Sequence, residues 1–142
     1  AARGDGPAAA AVLARLRDRE ECVRLAAAKA LPQVANKGDS CVLAELSTCL
    51  RQAPLRTALA ILPSLPQLAE RDDEHALAAL VACLERRDPA VRSGAVQLLQ
   101  EVVSRGNEQA VASVAALLEH PHFYARQTAV QALRQLAAPG GG

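Results

Sequence analysis

The chain has no methionine and no tryptophan. One tyrosine and one phenylalanine are its whole aromatic content, 1% of 142 residues. Without a methionine it lacks a translation start, so it is expected to be a processed product or a segment of a larger protein. With so few aromatics, the 51% of apolar residues must build a core from Ala, Leu and Val. Those residue types suit closely packed helices better than a sheet. No run approaches the roughly 18 apolar residues that a membrane span requires. Ala8 to Leu13 is apolar but lacks the basic start of a signal peptide. Charge is nearly balanced, 16 basic against 15 acidic residues for a net +1, with a pI near 7.9. This excludes attraction to nucleic acid or an acidic membrane through bulk electrostatics. The four cysteines, Cys22, Cys41, Cys49 and Cys83, form no C-x-x-C pair and no zinc-finger spacing with histidine. Cys49 and Cys83 share one repeat offset, which places them at inter-helix distance, beyond disulfide reach. Reduced thiols point to an intracellular, cytoplasmic setting.

What the chain does have is a period. Leu31-Pro-Gln-Val34 returns as Leu65-Pro-Gln-Leu68, Leu99-Gln-Glu-Val102 and Leu133-Arg-Gln-Leu136, a step of 34 each time. The same step links Leu16, Leu50, Leu84 and Leu118, and also Asp5, Asp39, Asp73 and Asn107. A fixed period of this length means stacked copies of one small unit. The units are 5–38, 39–72, 73–106 and 107–140. They form one domain over 1–138, and 139–142 is the start of a flexible linker.

Each unit opens on a residue whose side-chain oxygen can take an orphan N–H of a helix's first turn. Gly4, Gly38 and Gly106 precede three of these openings, where the preceding helix must stop. A first helix then shows one apolar face through Ala9, Val12, Leu13 and Leu16. The corresponding sets are Leu43, Leu46, Ser47 and Leu50, then Leu77, Leu80, Val81 and Leu84, then Val111, Val114, Ala115 and Leu118. A polar break follows, with Pro54, Pro89 and Pro121 standing near it. The second helix carries Val23, Ala27, Ala30, Leu31 and Val34, with counterparts in units three and four. In unit two, Pro63 and Pro66 lie deep in the second helix, where each costs about 3 kcal/mol. A kink or early stop near Leu62 is expected. Pro32 threatens unit one at the same offset as Pro66.

Three second-helix openings carry a further pattern. Asp88-Pro-Ala-Val-Arg92 is followed by Ala95 and Leu99, Cys22-Val-Arg24 by Ala27 and Leu31, and Tyr124-Ala-Arg126 by Ala129 and Leu133. This resembles the HEAT repeat in its short form, over nearly the whole chain and weakly in 39–72. The resemblance implies an all-α solenoid of four antiparallel helix pairs, mostly serving protein–protein contact, with second helices on the concave side. It also implies that Arg24, Arg92 and Arg126 form a structural ladder paired with loop acids such as Asp18 and Asp88. The period also fits tetratricopeptide repeats, but their Trp, Gly, Tyr and Phe marks are absent.

Catalytic chemistry finds little support. HEAT-like metalloenzymes carry His-Glu pairs after the second-helix arginine. Here Leu25-Ala26, Ser93-Gly94 and Gln127-Thr128 stand there, and none can ligate iron. There is no nucleophile triad and no phosphate-binding Gly loop. No catalytic residue, metal or cofactor is therefore assigned. His120 to Tyr124 holds the aromatics and is expected to cap the junction of units three and four.

The remaining surface pattern is a polar ladder. Gln33, Gln67, Glu101 and Gln135 share one offset, and Lys29, Gln97 and Gln131 lie one turn earlier, interrupted by Pro63. The expected function is a non-catalytic protein-interaction scaffold. It would bind a protein or peptide, not nucleic acid or membrane, through Gln33, Gln67, Gln97, Glu101, Gln131 and Gln135. Two alternatives are a non-catalytic HEAT-like part of a bilin lyase and an architectural spacer without a ligand. Neither end of the array looks like a polar cap: Val111, Val114 and Leu117 are expected on the outer face of unit four, so the isolated fragment is expected to be marginally stable or to self-associate.

Overall fold

The computed structural model describes residues 6–137, whose regular elements are all helices, with no strand among them. Unit one is α1 (Gly6–Arg15) and α2 (Glu21–Val34), and unit two opens with α3 (Ser40–Gln52). Its second helix is α4 (Leu55–Ile61), a 3-10 turn (Leu62–Ser64) and α5 (Leu65–Leu68). Unit three is α6 (Glu74–Leu84) and α7 (Pro89–Val102). Unit four is α8 (Glu108–Ala115), a 3-10 turn (Ala116–Glu119) and α9 (Phe123–Leu136). Second helices open at Glu21, Leu55, Pro89 and Phe123, each 34 residues after the last. The helices of each unit pack on each other. First helices α1, α3, α6 and α8 stack successively in one layer, and second helices α2, α4–α5, α7 and α9 in another. This is an α-solenoid.

The caps explain where first helices begin. Asp39 accepts from the N–H groups of Cys41 and Val42, Asp73 from those of His75 and Ala76, and Asn107 from that of Ala110. Asp5, the fourth expected cap, lies outside the described residues, as do Gly4 and the linker at 139–142. The core runs unbroken between the layers, and Leu31, Leu43, Leu46, Leu50, Leu65, Leu80, Leu84 and Leu99 are fully buried. Each such leucine contributes about 1.5–3 kcal/mol relative to exposure.

Proline acts where it lacks a donor in mid-helix. α4 stops at Ile61 and the chain tightens through a 3-10 turn containing Pro63. α2 runs through Pro32 without a break, because Pro32 falls in its last turn and sacrifices a single bond.

Two expectations about unit four are corrected. Val114 and Leu117 are buried and Val111 is half-buried, rather than outward. They occupy the places of Leu80, Cys83 and Leu77, which are buried in unit three. Leu118, expected on the buried face, is exposed. Its counterparts Leu16, Leu50 and Leu84 belong to units that have a successor, and unit four has none among the described residues.

A recurring clamp joins units. Gly38, Asp72 and Gly106, 34 apart, have positive φ of 85°, 66° and 80°. Their N–H groups donate to the last carbonyls of the next unit's second helix: Gly38 to Leu68 at 2.6 Å, Asp72 to Val102 at 2.7 Å and Gly106 to Leu136 at 2.8 Å. Glycine suits this left-handed conformation because it has no Cβ to clash.

Candidate functional site on the second-helix face

The arginine ladder organises the turns that set the two layers apart. None of the residues preceding the second helices makes a side-chain cap bond. Arginine serves the turn instead. Arg24 Nη1 donates to the carbonyls of Asp18 (2.8 Å) and Arg19 (3.1 Å). Arg92 Nη1 donates to those of Arg86 and Arg87, both at 2.7 Å, and Arg126 Nη1 to those of His120 (2.7 Å) and Pro121 (3.1 Å). The partners are thus backbone carbonyls left over at the end of the first helix and in the turn, rather than the carboxylates of Asp18 and Asp88. Those carboxylates are occupied otherwise. Asp18 accepts from the N–H of Glu20 and from Arg15, and Asp88 accepts from Arg86.

Arg86 was not singled out by its sequence context. Unit two has Ala58 where the ladder arginine would stand, and Arg86 of unit three reaches back to donate to the Leu50 carbonyl at 2.7 Å. Asp88 Oδ2 holds the other side of its guanidinium at 3.0 Å and 2.5 Å. The signal was present in principle: Pro54 has no N–H for the Leu50 carbonyl four residues before it, so another donor must satisfy that carbonyl. Arg56 instead pairs with Glu21 of unit one at 3.2 Å. Arg24 Nε also donates to the hydroxyl of buried Thr57 at 2.9 Å, which ties unit one to unit two.

With its turns fixed, the second layer presents one long face. Gln33, Gln67, Gln97, Glu101 and Gln131 are exposed on it, and Gln135 is half-buried. Gln33 and Gln67 come together in a groove of about 510 Å³ between α2 and the broken second helix of unit two. Ala28, Lys29, Pro32, Ala60, Pro63 and Ser64 complete its lining. Its walls carry the small side chains of Ala28, Ala60 and Ser64, where the second helix of unit two passes through its 3-10 turn. The Gln67 amide nitrogen donates to the Pro63 carbonyl at 3.2 Å. Lys29 makes no ion pair among the described residues, so its ammonium is available at the groove's edge. Gln97 and Glu101 on α7, and Gln131 and Gln135 on α9, continue the face away from this groove and do not line it.

A second hollow of about 320 Å³ lies at the turns, lined by Leu16, Arg17, Asp18, Arg24, Cys49, Gln52, Ala53 and Pro54. Its polar groups are engaged. Arg17 pairs with Glu45 at 2.6 Å and Arg24 holds the turn carbonyls. Burial pushes the Cys49 thiol up despite Arg17 nearby, so it stays protonated and unreactive. Cys83 is more extreme: burial raises it to about 12, with Arg86 opposing. All four cysteines are free thiols, and Cys22 and Cys41 are exposed.

The aromatic segment divides. Tyr124 stacks on His122 at 5.1 Å and lies under the Arg92 guanidinium at 4.7 Å, bridging units three and four. Phe123 is exposed beside Arg126. His120 Nε2 lies 3.3 Å from the Glu85 carboxylate of unit three. Among the described residues, no three His, Cys, Asp or Glu side chains gather as a metal site. Nor is any helix long and apolar enough to cross a membrane.

A family model for HEAT repeats matches residues 64–134, half of the 142-residue chain. The match spans the end of unit two, unit three and most of unit four. No curated protein matches the chain.

Proposed function

The chain belongs to the HEAT-repeat family, and from that premise we propose that it is a non-catalytic scaffold whose second-helix face takes an extended or helical segment of a partner protein. Repeats of this family commonly serve as protein-interaction scaffolds and are generally without catalytic function. The observation that carries the reading is the groove of about 510 Å³ walled by Gln33 and Gln67. It has the size range of small recognition pockets, about 300–1,000 Å³. Ala28, Pro32, Ala60 and Pro63 give it an apolar lining that can receive one partner side chain. Gln33 has both a donor and an acceptor to offer a partner backbone. From there Gln97, Glu101, Gln131 and Gln135 supply further polar contacts along the same layer, at the solenoid's own step. Binding is largely uncharged and therefore depends weakly on salt, unlike a counterion-driven contact.

The test is selection of binding peptides from a random displayed library, followed by affinity measurement on variants. Gln33→Ala with Gln67→Ala, and separately Gln97→Ala with Gln131→Ala and Gln135→Ala, are expected to weaken the selected peptides about tenfold or more. Stability should change by less than about 0.5 kcal/mol per exposed site. Peptides that bind both variants as tightly as the parent would place recognition on the first-helix layer or the turns and reject the proposal.

A further inference from the structure

Residues four apart on a helix stand one above the other, so they form a ridge. α2 carries Leu25, Lys29 and Gln33 on such a ridge, and the second helix of unit two carries their counterparts Leu59, Pro63 and Gln67. Lys29 and Gln33 face Pro63 and Gln67 across the groove of about 510 Å³. Leu25 and Leu59, one turn earlier, continue its two walls toward the turns. There Arg56 reaches across to Glu21 at 3.2 Å and closes the valley. Leu59 and its neighbour one turn back, Leu55, are 37% and 42% exposed, and Leu25 is half-buried. Units three and four have Ser93 and Gln127 at the places of Leu25 and Leu59. The valley between units one and two is therefore the one with leucine on both walls.

Resting on the scaffold reading above, we propose that the occupant of this valley is an amphipathic helix of a partner protein, with aliphatic side chains on Leu25, Leu55 and Leu59 and a carboxylate at Lys29. Backbone demand selects the helix. The leucine half of the valley has no side-chain hydrogen-bonding group to offer. The amides of Gln33 and Gln67 stand at the other end, and the Gln67 nitrogen is already given to the Pro63 carbonyl. An extended segment laid over the leucines would lose water from its N–H and C=O groups without replacement. A helix satisfies those groups internally. Leu55 to Gln67 spans roughly 18 Å at about 1.5 Å per residue, so about three turns of partner helix fill it. Charge selects the flank. Lys29 is exposed, makes no ion pair among the described residues, and has no acidic side chain beside it in the groove lining. An Asp or Glu of the partner complements it. A single exposed pair keeps the salt dependence small.

The probes are peptides selected on the 142-residue chain from a random displayed library, then synthesised. They should share aliphatic residues three and four apart and an Asp or Glu on one flank. A proline placed in the middle of a selected peptide should weaken it about tenfold or more, because it breaks a helix. Leu25→Ala with Leu59→Ala in the protein should do the same. Lys29→Glu should weaken the acid-bearing peptides about fivefold, and changing the peptide's acid to Lys should restore them. Circular dichroism checks that each variant folds, and Leu59→Ala alone replaces the double variant if that one does not. Peptides that lose affinity on Gln33→Ala with Gln67→Ala, yet tolerate the central proline or bind the leucine variant as tightly as the parent, overturn the helix and leave the scaffold reading standing. So does Lys29→Glu without effect on them. Peptides indifferent to every one of these changes, or a library that yields no binder, reject both.

Discussion

The backbone N–H of Asp72 donates to the carbonyl of Val102 at 2.7 Å while Asp72 holds a left-handed φ of 66°. Gly38 and Gly106 occupy the same place at the other two junctions. The conformation that glycine adopts freely is here imposed on a residue with a Cβ. The compensation is visible: the Asp72 carboxylate accepts from the Ser104 N–H, the Ser104 hydroxyl and the Asn107 amide, each at 2.7 Å. One side chain thereby ties the end of unit two to the turn joining units three and four.

Substitution at the two kinds of clamp should therefore differ in origin and size. At Gly38 an added Cβ would make only ordinary contact with Glu70 Cγ at 3.4 Å, so Gly38→Ala costs conformational energy alone, about 1 kcal/mol. Asp72→Ala keeps the strain and loses three bonds, for about 2 kcal/mol. Urea denaturation of the three proteins should give this order.

Asp72 also makes the junction acid-sensitive. Bonds from the Ser104 hydroxyl and N–H hold its carboxyl below the ordinary 3.8 against desolvation, with smaller help from Asn107 and Arg71. A depressed folded value means that the contribution is complete above the unfolded value and disappears as pH falls through the folded one. Melting temperature should fall below about pH 4, and Ser104→Ala should flatten that acid limb while leaving its neutral-pH slope unchanged.

Arg86 serves the Leu50 carbonyl, which has no helical partner because Pro54, four residues on, lacks an N–H. Arg86→Ala would leave the Leu50 carbonyl unserved and the half-buried Asp88 carboxylate unpaired. A loss of about 2–3 kcal/mol is expected. Denaturant titration measures it, and a loss under about 0.5 kcal/mol would mean that these bonds do not hold the junction.

Thiol titration with an aromatic disulfide at mildly alkaline pH should find two fast cysteines, Cys22 and Cys41. Cys49 and Cys83 are buried with raised thiols, so they should react only on unfolding. Cys83→Ser is the corresponding stability probe. It puts a hydroxyl into a sealed place and should cost about 1–3 kcal/mol.

Local chemistry accounts for much of this protein. The caps at Asp39, Asp73 and Asn107, the apolar faces of the first helices and the stop at Ile61 each depend on residues within a few positions of one another. Such features are legible in a linear sequence. The carbonyl partners of Arg24, Arg92 and Arg126 lie only five or six residues away, yet the resemblance pointed to carboxylates. Counting the carbonyls freed by each turn would have shown the demand. What only the tertiary structure decided depends on residues some 30 or more positions apart. Asp72 could take glycine's place because Ser104 and Asn107 meet its carboxylate, and Arg86 serves Leu50 across a junction. Gln33 and Gln67 share a groove while the other ladder residues do not, because the groove lies where α2 runs beside the 3-10 turn at Leu62–Ser64. Periodicity determines which residues are equivalent, but burial depends on whether a neighbour is present. Leu118 and Leu84 are therefore the same residue at the same offset, one exposed and one sealed.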